Sequence, residues 1–245
     1  MNLSDIAVAT ITRVRGRDEE RTVKQSLRTL LATGIPVAAS DGGSPKGFGD
    51  WLRRQPNLTL ATRGDSLVRQ VQASVAEAHQ TRRPFILYAE PDKRDFFAGG
   101  LADFVERASI ADSIGIQLAA RSKSALMTFP PFQRLAEASA SELCRRTIGA
   151  DTDYFYGPFL VRRELARLVF SASVDLGWGW RPFLFVTASR LGHRVVGIPG
   201  DYQCPRDQRS EHDRDKEHRL RQFTDNVRGL LDAVVKRRSA VRTRA

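Results

Sequence analysis

The feature that most limits this chain is an alternation that begins at its sixth residue. Short β-branched apolar runs take turns with longer segments whose apolar residues recur every three or four positions. Ile6 to Ile11 is one such run, and Val23, Leu27, Leu30 and Leu31 then follow at helical spacing as far as Gly34, the period of a helix with one buried face. Pro36 to Ser40 is apolar again and ends in the turn-forming cluster Asp41-Gly42-Gly43-Ser44-Pro45. Leu58 to Ala61 reads as a strand, Ser66 to His79 as a helix with Leu67, Val71 and Val75 on one face, and Phe85 to Ala89 as a buried strand. Each crossover is long enough to return the chain beside a parallel partner. The pattern therefore predicts an α/β sheet flanked by helices, with ligands gathered beyond the carboxyl ends of its strands.

Beyond Asp92 the period is less regular. Leu101 to Arg107 reads as a helix, Ile114 to Ala119 as a strand, Phe132 to Ile148 as a helix, and Tyr154 to Trp180 as a segment rich in glycine and aromatic residues. Phe183 to Leu191 reads as a helix and Arg194 to Ile198 as a strand. Leu220, Phe223, Val227, Leu230 and Val234 then give an amphipathic helix. The expected organisation is a catalytic domain over residues 1–205, a helix packed on it over 206–235, and a disordered basic tail over 236–245.

Composition narrows the partners. With 41% hydrophobic and 27% charged residues in 245 positions, wholesale disorder is excluded. The formal charge of +11 suits anionic partners, and the last ten residues hold five of the positive charges, at Lys236, Arg237, Arg238, Arg242 and Arg244. Cys144 and Cys204 make no CxxC pair, so neither a disulfide framework nor a cysteine zinc site is indicated. The first residues lack the charge order of a secretory signal, and no long uncharged apolar stretch occurs. The expected location is cytoplasmic, with peripheral contact at an anionic inner membrane face as an added role.

Candidate chemistry collects at the strand ends. Asp41 could accept hydrogen bonds from a base or ribose while Gly42 and Gly43 admit a ligand to the backbone, although the same residues also make an ordinary Asp-Gly turn. Glu90-Pro91-Asp92-Lys93 follows the buried Phe85 to Ala89 run. Its two carboxylates suit Mg²⁺ or Mn²⁺ shared with substrate phosphates, and the competing reading is a solvated turn. Arg13, Arg63 and Lys93 stand at strand ends too, where their charge matches a diphosphate. Trp178, between Gly177 and Gly179, could form an acceptor wall or simply close the core. In the charged run Glu211 to His218, His212 is the candidate third metal ligand, against the alternative of a solvated helix start.

Taken in order, Thr12-Arg13, Asp41-Gly42-Gly43-Ser44, Arg63-Gly64 before a helix with Arg69 and Gln70, and Glu90-x-Asp92 resemble the nucleotide-sugar glycosyltransferases of the GT-A fold over roughly residues 5–200. The resemblance implies a GT-A type, Rossmann-like, mostly parallel sheet. It also implies nucleotide contact at Asp41 and a divalent ion held on the donor diphosphate by Glu90 and Asp92. Two departures stand out. The metal segment begins with glutamate, and the acidic pair that supplies the general base in inverting members falls at Trp180-Arg181. Asp175 is the nearest upstream carboxylate and the expected base. The alternative is retention of configuration, since Gly177-Trp178-Gly179 is similar to a Gly-aromatic-Gly stretch of retaining members such as glucosyl-3-phosphoglycerate and mannosylglycerate synthases.

The expected activity is thus metal-dependent transfer of a sugar from a nucleoside-diphosphate donor to an acceptor hydroxyl, with a homodimer as the candidate assembly. A sugar nucleotidyltransferase competes with it, but Thr12-Arg13-Val14-Arg15-Gly16-Arg17 is a poor version of the glycine-rich loop that reaction wants. A module binding nucleic acid or anionic membrane through the basic tail is the third reading. No RNP, helix-turn-helix or zinc-finger pattern supports nucleic acid, which is not expected as a partner.

Overall fold

The computed structural model describes the backbone of residues 1–242 and the side chains of residues 1–235. The first half alternates as expected: β1 (Ile6–Thr12), α1 (Arg17–Leu31), β2 (Val37–Asp41), α2 (Lys46–Arg53), β3 (Leu58–Leu60), α3 (Leu67–Gln80) and β4 (Phe85–Tyr88). A single π turn at Phe96–Gly100 leads into α4 (Leu101–Arg107), followed by β5 (Ile114–Arg121), the short α5 (Lys123–Leu126) and α6 (Pro131–Ile148). Then come β6 (Phe159–Arg162), α7 (Arg163–Ala166), α8 (Trp180–Arg190), β7 (Arg194–Gly200) and α9 (Asp213–Arg242). The helix expected over 206–235 starts later and runs further. Residues 236–242, read from sequence as a disordered tail, continue α9, while 243–245 lie outside the described residues.

The seven strands form one sheet in the order β3-β2-β1-β4-β6-β5-β7. All neighbours are parallel except those of β6, which runs antiparallel to both β4 and β5. Sequence reading missed β6 because Phe-Leu-Val-Arg is only four residues long and fully apolar before its arginine, so it carries neither the strand alternation nor a helical period. It also missed α2, whose Gly47 and Gly49 lower helix propensity by about 1 kcal/mol each relative to alanine.

Period-two geometry divides β1 between two cores. Ala7 and Ala9 face a cluster with Val71 and Val75 of α3, Phe159 of β6 and Trp180 of α8, whereas Ile6 and Val8 face one with Leu27 and Leu30 of α1 and Phe104 of α4. Each fully buried side chain of this size contributes roughly 1.5–3 kcal/mol. Helix α8 is buried on nearly every side from Trp180 to Val186. Tyr88 and Trp180 meet edge to face at 4.7 Å, which fixes the start of α8 beside the end of β4.

Two devices dock the outer helices. The Glu211 carboxylate accepts the Phe132 and Gln133 amides at 3.3 and 3.2 Å, capping α6 from the loop before α9. Gly229 of α9 lies against Gly179 so closely that an added Cβ would meet the Gly179 carbonyl, with the carbonyl carbon 2.6 Å away. The Trp178 amide also donates to Asp225 Oδ2 of α9 at 3.1 Å.

Candidate active site

The ends of β1 and β4, the loop entering β6, the start of α8 and the facing sides of α6 and α9 enclose a cavity of about 540 Å³, a volume within the range of small-molecule sites. Because β6 is antiparallel and pairs Phe159 with Tyr88, the loop before it meets the loop after β4. Gly157 there has φ +131°, and a Cβ on it would lie 2.8 Å from Glu90 Oε2 and 3.0 Å from Lys93 Cε. Glycine at this position makes room for both side chains of the acidic segment.

The two carboxylates of Glu90-Pro91-Asp92 have different surroundings. Glu90 is only 9% exposed and is ion-paired with Arg181, itself 8% exposed, from the first turn of α8. The Arg181 guanidinium lies 4.7 Å from the Trp178 ring and 5.7 Å from the Tyr88 ring. Burial pushes the Arg181 guanidinium below its ordinary range, to about 10, with Tyr88 opposing the shift, and Glu90 supplies the opposite charge beside it. Asp92 is half exposed and pairs through Oδ2 with Lys93 Nζ at 3.0 Å. Both residues, with Arg13 and Trp178, line the cavity.

Asp41 sits at the end of β2 on a smaller pocket of about 210 Å³ that also takes Gly43, Ser44 and Arg63. Its carboxylate accepts from the Thr12 hydroxyl at 2.9 Å, the Ser44 hydroxyl at 2.6 Å, and the Gly43 and Ser44 amides at 3.1 and 2.8 Å. Four donors occupy its acceptor positions, so it holds the turn that orders Thr12 and Ser44. A Cβ at Gly42 would press on Gln70, and one at Gly43 on the Arg63 guanidinium. Gly64 lets its loop touch the α3 backbone, with the carbonyl carbon of Arg69 2.7 Å from where a Cβ would stand. The expected donor residues thus divide: Arg13, Glu90, Asp92 and Lys93 on the large cavity, Asp41, Gly43 and Arg63 on the small one.

Two expected residues lie elsewhere. Asp175 does not line the cavity. It is exposed, accepting from Ser173 Oγ at 2.5 Å and from Arg228 at 2.9 Å. The Ser173 hydrogen bond, then its own backbone amide and Arg228, hold its carboxyl below the usual range, the wrong direction for a base. His212 opens α9, its amide donating to Asp215 Oδ2 at 2.9 Å. One and a half turns later His218 stands on the cavity wall instead.

Sequence reading did not find the far wall. Arg121 at the end of β5 is buried between Asp153, at 2.6 Å, and Glu137 of α6, also at 2.6 Å, with Phe129 stacked 4.5 Å from its guanidinium. Burial opposes the charge on Arg121, and Glu137 and Asp153 more than offset it, so the guanidinium is held above its ordinary range. Gln133 donates to Glu137 Oε1 at 2.8 Å. Gln222 and Asn226 of α9 complete the wall, and the Oδ1 atom of the buried Asn226 has no hydrogen-bond partner among the described residues. The one legible signal was spacing, since Gln222 and Asn226 stand four apart on a helix.

The cavity is lined by five carboxylates (Glu19, Glu90, Asp92, Glu137, Asp207) against four fixed cations (Arg13, Lys93, Arg181, Arg219). A diphosphate entering such a site needs further positive charge. Among the described residues no three His, Cys, Asp or Glu groups converge as a metal cage. Asp92, whose second oxygen is uncommitted among the described contacts, fits the other kind of site, in which a hard ion takes one carboxylate and completes its shell with substrate oxygens and water.

The sheet order, the strand-end cleft and the acidic segment after β4 define an α/β fold of the GT-A type. Solved structures with this fold include mannosyl-3-phosphoglycerate synthase from Rubrobacter xylanophilus, 16% identical, aligned over 98% of this chain and 75% of that one with a TM-score of 0.64. Glucosyl-3-phosphoglycerate synthase from Mycobacterium tuberculosis, in complex with Mn²⁺, uridine diphosphate and phosphoglyceric acid, is 14% identical over 93% of this chain and 78% of that one, with a TM-score of 0.57. The same enzyme with Mn²⁺, uridine-diphosphate-glucose and glycerol 3-phosphate gives 14% identity, coverage of 93% and 79%, and a TM-score of 0.55. No protein-family model matches the sequence, and neither does any curated protein. Among the described residues no helix is long and apolar enough to cross a membrane.

Proposed function

We propose that this chain is a glycosyltransferase that moves a sugar from a nucleoside-diphosphate donor to an acceptor hydroxyl. The observation that carries the reading is the half-exposed Asp92 beside Lys93, directly after β4, on a 540 Å³ cleft at the strand ends of a GT-A fold. The solved neighbours that bind uridine diphosphate and Mn²⁺ support it.

Asp92 would hold Mg²⁺ or Mn²⁺, and such an ion supplies Lewis-acid stabilisation of charge on the departing diphosphate. Lys93 and Arg13 add fixed positive charge on the same side of the cleft, a term that needs no reorganisation as the bond breaks. The small pocket with Asp41, Gly43 and Arg63 receives the nucleoside end, and the wall of Trp178, Gln133, Glu137, Gln222 and Asn226 receives the acceptor. Those amide and carboxylate groups orient hydroxyls by hydrogen bonds.

The test is a calorimetric screen of UDP, GDP, ADP and CDP, with and without Mn²⁺, on wild type and Asp92→Ala. One diphosphate should bind tightly only with the ion and lose at least about tenfold in the variant. Unchanged binding or full sugar transfer by Asp92→Ala would remove the assignment.

A further inference from the structure

We propose that Arg181 withdraws Glu90 from the ligand set, so that Glu90 holds Arg181 and Asp92 alone of this acidic segment faces the diphosphate and its ion. This rests on the glycosyltransferase reading and deepens it. Both members of the pair are buried, the pair runs through Glu90 Oε1, and Glu90 Oε2, which has no hydrogen-bond partner among the described residues, is turned to the Gly157 backbone. Trp178 and Tyr88 pack on the guanidinium, and the Tyr88–Trp180 contact fixes the turn that carries it. An ion that took Oε1 of Glu90 would leave a buried guanidinium unbalanced, which is far costlier than coordinating the exposed carboxylate two residues on. Arg181 stands where the resemblance places an acid, so the cleft has a cation in place of a base and spends one of its carboxylates balancing it.

The test compares wild type with Glu90→Gln, Arg181→Met, the double variant and Asp92→Asn. The readouts are thermal unfolding and the Mn²⁺ dependence of binding of whichever of UDP, GDP, ADP and CDP wild type accepts. Each single variant at the pair leaves one buried charge unpaired, so its Tm should fall by about 6–20 °C, while the double variant should recover to within about 4 °C of wild type. The double variant should keep Mn²⁺-linked nucleotide affinity within about threefold of wild type, and Asp92→Asn should lose at least about tenfold. If a single variant fails to fold, the double variant still decides the matter. A folded double variant that loses Mn²⁺-linked binding as Asp92→Asn does makes Glu90 a ligand and overturns the proposal alone. Absence of metal-linked binding to all four diphosphates in wild type overturns the glycosyltransferase reading, and this proposal with it.

Discussion

Substituting Gly229 by alanine tests whether the cleft depends on one backbone contact made outside it. The new methyl would stand 2.6 Å from the Gly179 carbonyl carbon and 2.8 Å from its Cα, with the oxygen nearer still. Carbon atoms in contact want about 3.5 Å, so α9 must retreat by about 1 Å from the start of α8. Backbone lies on both sides of the contact, and no side chain can turn aside to absorb the strain. A gap of that size forfeits a quarter to a half of each dispersion contact it opens, and the buried Asn226, Leu230 and Ala233 lie on the same helix. Together with the usual penalty for overpacking, the cost should be about 2–3 kcal/mol, or a Tm lower by about 4–12 °C for a chain of this size. Asn226 and Gln222 move with the helix, so acceptor KM should rise at temperatures where the variant is still folded. Differential scanning calorimetry and steady-state kinetics measure both. A Tm within about 2 °C of wild type would refute the argument that the helices cannot separate cheaply.

Asp175→Asn should leave turnover within about twofold of wild type, because Asp175 lies outside the cleft; a loss of a hundredfold or more in kcat would restore it as the base. Arg121→Met strands Asp153 and Glu137 as buried carboxylates and should cost about 3–5 kcal/mol by chemical denaturation. Asp153→Asn, which keeps the Glu137 pair, should cost less. His218 is held below its ordinary value of 6.5, chiefly by desolvation and then by Arg219 and Arg15, against Asp215 and Asp225. Its neutral form is therefore the one the folded state favours. Stability should be full above pH 6.5 and decline as the pH falls through the lowered value. In metal-free buffer His218→Gln should flatten that decline by less than about 1 kcal/mol, the scale of an exposed charge.

The half of the fold that repeats strand and helix was legible, since a period of two or 3.6 survives in the residues themselves. Segments Ile6 to Ile11, Ser66 to His79 and Phe85 to Ala89 all lie where β1, α3 and β4 are found. The antiparallel β6 was not legible, because its place is set by partners on both edges and four apolar residues do not record which way a strand runs. At the site, Asp92 and Lys93 could be read because they follow a recognisable buried strand. Arg181 could not be read as the partner of Glu90: the two are ninety-one positions apart, and α8 is apolar on so many faces that no stripe reveals where the arginine of its first turn points. Which of His212 and His218 faces the cavity was not legible for a related reason, since it depends on the rotational phase of α9 and the charged run around them has no apolar stripe to set it.

The reversed strand also decides what cannot be cut away. With β6 removed, β4 becomes an edge whose four residues, Phe85 to Tyr88, are all buried in the intact chain, an open apolar edge of the kind that recruits other chains. A fragment ending after the acidic segment would carry most of the proposed nucleotide end of the cleft yet should precipitate. The half up to β4 is thus no portable module, and insertions or domain fusions belong at the outer strands β3 and β7, away from this seam.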